Sequence, residues 1–95
     1  MFNSPSTVLE QKKAKAKYPD AKVIVLDDSF NTFQHVATSL LTVIPDMTEK
    51  KAWELTIKID TSGSAEVWRG NLELAELYHE QLANKGLTMA PIEKT

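Results

Sequence analysis

The sequence predicts an α+β domain in which three helices cover one face of a small three-stranded sheet. The predicted order is strand, helix, helix, strand, helix, strand, and three observations carry it. Ala21 to Leu26 is an almost unbroken β-branched and aliphatic run bounded by turn-forming residues, the pattern of a strand buried over much of its surface. Three later segments repeat apolar residues at three- and four-residue spacing. Two shorter segments, Ala65 to Arg69 and Leu87 to Ile92, have strand character and flank the last of those stripes. Packing all three stripes onto one sheet face is the economical way to bury them.

Each element has its own signals. After the first strand, Asn31 is placed to cap a helix, with Gln34 in the reciprocal capping position. Phe33, Val36, Ala37, Leu40, Leu41 and Ile44 form the stripe of this helix, and Pro45 stops it by pushing Ile44 out of the helical region. Asp46 or Thr48 restarts a helix whose first turn carries Glu49, a favourable sign at that end of the dipole. Ala52, Leu55 and Ile59 share its inner face with Thr56, and it should end before Thr61-Ser62-Gly63. In the strand Ala65 to Arg69, simple alternation puts Val67 and Trp68 on opposite faces. Asn71 caps the third helix, with Leu74, Ala75, Tyr78 and Leu82 facing inward and Gly86 ending it. Pro91 removes a ladder donor from Leu87 to Ile92, so that strand belongs at a sheet edge.

Composition narrows the function classes. Ninety-five residues suffice for one domain, read as residues 21–95, preceded by a lysine-bearing segment, residues 1–20, expected to be a flexible extension. A net charge of −2 argues against a general nucleic-acid binder. With no cysteine, neither disulfides nor thiolate metal sites are available. No apolar run is long enough for a bilayer and no signal peptide is visible, so a cytoplasmic protein without membrane contact is expected. The two histidines, His35 and His79, fall on different helices, so no metal or other cofactor is expected. There is no glycine-rich phosphate loop, and no serine has the surroundings of a nucleophile elbow. A binding module, not an enzyme, is what remains.

The first strand runs straight into adjacent carboxylates, Asp27 and Asp28, where the backbone turns and side chains reach solvent. Core packing does not ask for them, and a cationic ligand would. The run Val23-Ile24-Val25-Leu26-Asp27-Asp28-Ser29-Phe30-Asn31-Thr32-Phe33-Gln34-His35-Val36 resembles the signature of the ClpS family. Gly63-Ser64-Ala65, Glu73-Leu74-Ala75-Glu76, Gly86-Leu87-Thr88 and Ile92-Glu93-Lys94 follow in that family's order, so the resemblance covers about residues 21–94. It implies a three-stranded antiparallel sheet with three helices, the ClpS and ribosomal-stalk C-terminal-domain type of fold. It also implies an adaptor that binds proteins by a bulky hydrophobic N-terminal residue. Such an adaptor, expected to be a monomer, hands them to a ClpA- or ClpC-type AAA+ unfoldase for ClpP.

The resemblance further implies roles for individual residues. Asp27, Asp28 and Asp60 would hold the α-amino group, Asp27 and Asp60 standing where the family has asparagine and histidine. As a turn residue, Asp28 is expected to matter little to stability. Like charges so close would raise the pKa of at least one. Asn31, Phe33, Val36, Thr56 and Ile59 would line a pocket for the terminal side chain, with Leu87, Thr88 and Met89 closing it. Phe33 and Thr56 replace family methionines, which implies room for a specificity other than the usual Phe, Tyr, Trp and Leu. Glu73, Glu76 and Tyr78 would touch the unfoldase. Two alternatives are a regulator that docks on the unfoldase without carrying substrate, and a ribosomal-stalk-type interaction domain.

Overall fold

A computed structural model describes residues 19–95. The expectation of a flexible extension therefore lies outside the described residues, except that Asp20 already belongs to the first strand. The elements run β1 (Asp20–Leu26), α1 (Phe33–Val43), α2 (Glu49–Ser62), β2 (Ser64–Asn71), α3 (Leu72–Asn84), β3 (Thr88–Met89) and β4 (Glu93–Lys94). The order is the predicted one through α3; of the expected last strand, Leu87 to Ile92, only Thr88 and Met89 are in the ladder, and a further short strand follows at Glu93–Lys94.

β1 is the centre of the sheet. It pairs antiparallel with β2 along its whole length, and its other edge takes both β3 and β4. Pro91 falls in the gap between these two short strands. The sheet is thus three strands wide, and its third column is interrupted where the donor is missing. The central position explains the burial of β1: Ala21, Val23 and Val25 are almost inaccessible, and Leu40 of α1 and Leu82 of α3 complete the inner layer. Each of the valine and leucine side chains contributes about 1.5–3 kcal/mol of burial.

Three details of the sequence reading are revised. Thr32, not Asn31, caps α1, accepting the His35 amide at 3.1 Å. α2 continues through Thr61 to Ser62 and closes on Gly63, whose φ of 90° is left-handed. Leu74 is exposed, and Leu72 packs against the core in its place.

A β-bulge alters the second strand. The register passes from Val23↔Trp68 to Ile24↔Glu66, leaving Val67 as the extra residue. The expected opposition of Val67 and Trp68 is thereby lost. Val67 is buried, and Trp68 packs edge-on against Tyr78 of α3, ring centroids 4.9 Å apart. Gly70 is the matching accommodation, because a Cβ there would run into the Trp68 indole.

Candidate functional site

The C-terminal end of β1 is where the chain brings its acidic residues together, and the register shows how. Leu26 pairs with Ser64 on one side and Thr88 on the other. Ser64 follows the end of α2 by a single glycine, so the last turn of α2, with Asp60, must stand beside the end of β1. The Asp27 amide donating to the Gly63 carbonyl at 2.9 Å locks this arrangement. Thr88 likewise brings the turn after α3 to the opposite side. The β1–α1 loop then leads into the first turn of α1 between them.

These segments enclose a pocket of about 150 Å³. Asp27, Asp28, Asp60, Asn31, Phe33, Val36, Thr56, Ile59, Leu87 and Thr88 all line it, together with Val25, Leu26 and Ser29, which the sequence reading did not single out. Met89 is the exception. It pairs with Val25 in the ladder and packs against the core, one residue beyond the wall formed by Leu87 and Thr88. The inner wall is apolar and buried at Val36, Ile59 and Leu87. Thr56 is also buried, but its hydroxyl donates to the Ala52 carbonyl at 2.7 Å. With the donor turned back to its own helix, the methyl is the apolar part left to offer. Phe33, at 45% exposure, stands at the outer edge. A volume of ~150 Å³ is large enough to hold a benzene ring.

The three carboxylates are not equivalent. Asp28 Oδ1 accepts the backbone N–H groups of Phe30 at 2.9 Å and Asn31 at 2.8 Å. Its Oδ2 accepts Asn31 Nδ2 and the Thr88 hydroxyl, both at 2.7 Å. Four donors fill the four lone-pair positions of a carboxylate. The Asn31 amide, then the Thr88 hydroxyl, hold the Asp28 carboxyl far below the usual range, against the opposing effect of desolvation. Hydrogen bonding thus outweighs desolvation at this residue, and four accepted bonds give Asp28 a structural role that the expectation of little effect on stability did not include. Asp27 and Asp60 are exposed, and among the described residues no donor occupies either carboxylate.

The placement of Asp60 is itself informative. It lies in the last turn of α2, where the helix dipole already presents partial negative charge and no basic residue compensates. A carboxylate there is unfavourable by about 0.3–1 kcal/mol. A cation in the pocket mouth would reverse that sign. Among the described residues, no group of three or more His, Cys, Asp or Glu is arranged to hold a metal ion.

The residues expected to touch a larger partner lie elsewhere, outside the pocket lining. Glu73 and Glu76 are exposed on α3, alongside Leu74 at 40% and Leu77 at 42% exposure. Tyr78 is only half-exposed, its ring engaged with Trp68.

The chain is similar to known proteins in both sequence and fold. The family model described as ATP-dependent Clp protease adaptor protein ClpS matches residues 9–90. The chain is 55% identical over 91 residues to the ClpS adapter of Thermosynechococcus vestitus, covering 94% of this chain and 97% of that protein. It is 61% identical over 77 residues to that of a Synechocystis species, covering 81% and 79%. It is 50% identical over 95 residues to that of a Nostoc species, covering 98% of each. Among solved structures, Agrobacterium tumefaciens ClpS2 bound to L-phenylalaninamide superposes with a TM-score of 0.77. At 21% identity over 83% of this chain and 100% of that one, it establishes a shared fold.

Proposed function

Since this chain belongs to the ClpS family of Clp protease adaptors, we propose that its pocket binds the first residue of a substrate protein, taking the side chain on the apolar wall and the α-amino group at the acidic rim. The observation that carries this is the convergence of three carboxylates, from two separate segments, on a ring-sized pocket whose inner wall is apolar. A free α-amino group has a reference pKa of about 7.7–8.0, so it is largely cationic at neutral pH and rich in donors. Ammonium–carboxylate hydrogen bonds are among the stronger polar contacts. Asp27 and Asp60 offer the open acceptors. Asp28, already saturated, contributes its charge and shapes the loop. The ligand of the Agrobacterium protein, a phenylalanine derivative, has both an aromatic side chain and a free amine, the pair of groups that this reading assigns to the pocket.

In this reading the adaptor carries such substrates to a ClpA- or ClpC-type AAA+ unfoldase feeding ClpP. The acidic, partly apolar outer face of α3, with Glu73 and Glu76, is the surface offered to that partner. The regulator that carries no substrate is disfavoured by the open pocket with an apolar inner wall that it would leave unused.

The test is a titration with short labelled peptides that differ only in residue one. Peptides beginning with free Leu, Phe, Trp or Tyr bind, and their N-acetylated forms do not. Equal binding of free and acetylated peptides would sink the reading.

A further inference from the structure

One wall of the pocket, Leu87 and Thr88, sits on a turn with little ladder of its own, since β3 contributes only two residues. The turn is closed locally by the Gly86 amide donating to the Ala83 carbonyl at 2.9 Å and the Leu87 amide to the Leu82 carbonyl at 3.2 Å. Gly86 has a φ of 91°, so the chain reverses sharply there. The carbonyls of Lys85 and Gly86, just past the end of α3, find no partner within their own helix. Their partners come from the other side of the pocket. His35 Nε2 meets the Lys85 carbonyl at 2.7 Å, and Asn31 Nδ2 donates to the Gly86 carbonyl at 3.0 Å. A carbonyl only accepts, so His35 holds its proton on Nε2. The Thr88 hydroxyl adds a third tie, to Asp28. Asn31 and Asp28 are themselves lining residues, whereas His35 is not.

We propose that His35 is a positioning residue for the pocket: its bond to the Lys85 carbonyl braces the α3–β3 turn against the first turn of α1, and so fixes the distance of Leu87 from the opposite wall. The consequence for selectivity rests on the pocket being the N-terminal-residue site; the brace itself does not. A wall held at fixed distance discriminates between side chains of different width, and a loosened one yields to the widest.

The experiment compares wild type, His35→Ala and His35→Gln by amide hydrogen exchange and by peptide titration. Gln keeps an N–H donor near the position of Nε2. With the brace removed in His35→Ala, exchange at Gly86 and Leu87 accelerates about fivefold, the equivalent of one hydrogen bond, while β2 amides are unchanged. His35→Gln restores wild-type exchange. In the same variants, the affinity ratio between N-terminal Leu and Trp peptides shifts towards Trp in His35→Ala and returns in His35→Gln. Unchanged exchange at the turn, a uniform acceleration across the domain, or a Gln variant that behaves like Ala each overturns the proposal. If wild type binds none of the peptides, the reading of the pocket falls and the exchange result alone decides the brace.

Discussion

Replacing Asp28 separates what its charge does from what its oxygens hold. Of the four bonds it accepts, those from the Asn31 amide and Asn31 Nδ2 are partly buried, and those from Phe30 and Thr88 are exposed. Water competes for the exposed pair, so the loss is carried mainly by the two partly buried bonds, at about 1 kcal/mol each. Asp28→Ala is therefore expected to lose about 2 kcal/mol, which for a domain of this size lowers Tm by about 8–16 °C. Asp28→Asn keeps one acceptor oxygen for the two backbone amides, so its loss is about half, or about 1 kcal/mol.

The pH dependence follows from the lowered pKa of Asp28. A carboxyl whose pKa is depressed by folding stabilises the native state in full above its unfolded value, about 3.9, and that stabilisation is lost as pH falls below it. Thermal melts by circular dichroism from about pH 7 down to about pH 2.5 read both effects. Wild type should lose Tm faster than Asp28→Asn across the acid limb. A neutral-pH Tm for Asp28→Ala within about 2 °C of wild type would show that the hydrogen-bonded loop contributes nothing. Equal acid sensitivity in wild type and Asp28→Asn would refute the assignment of the lowered pKa. Below its own Tm, Asp28→Ala should still bind N-terminal Phe peptides at least tenfold more weakly, or about 1.4 kcal/mol.

Two further substitutions address the pocket and the sheet. Thr56→Met inserts a longer side chain into a buried lining position, so titration should show a greater loss for peptides beginning with Trp than for those beginning with Leu. Equal loss for both would mean that position 56 does not set the depth. Gly70→Ala places a Cβ against the Trp68 ring and should destabilise by about 1–3 kcal/mol, read as a shifted urea midpoint with unchanged slope. An unchanged midpoint would mean that the indole moves aside freely.

Local signals in the chain were sufficient for the elements and poor at their joints. The apolar run of β1 and the stripes of α1 and α2 were legible because burial imposes a period on the sequence. Leu74 misled because a helix face continues to look apolar past the point where a neighbour covers it. The β2 bulge has no residue signature beyond Gly70, whose reason lies in the indole of Trp68. Asn31 and Thr32 are both good caps, and the choice was made by Asp28 and Gly86, which engage the Asn31 side chain elsewhere. Met89 looked equivalent to Leu87, but Leu87 precedes the ladder, while Met89 is paired with Val25.

The sequence by itself determined the fold class and carried the family resemblance, because hydrophobic period and colinear motifs are properties of the chain, and ten of the residues which that resemblance implied lie around one pocket. Only the tertiary structure decided which carboxylate is free to meet a ligand. Asp27 and Asp28 are neighbours with the same side chain, yet one accepts four hydrogen bonds and the other has none from the described residues. That difference depends on donors as distant in the chain as Thr88, which only folding brings to the end of β1. The same holds for His35, whose partner is the carbonyl of Lys85, fifty residues away. A backbone carbonyl is the same at every residue, so no residue type marks it as a partner before the chain is folded.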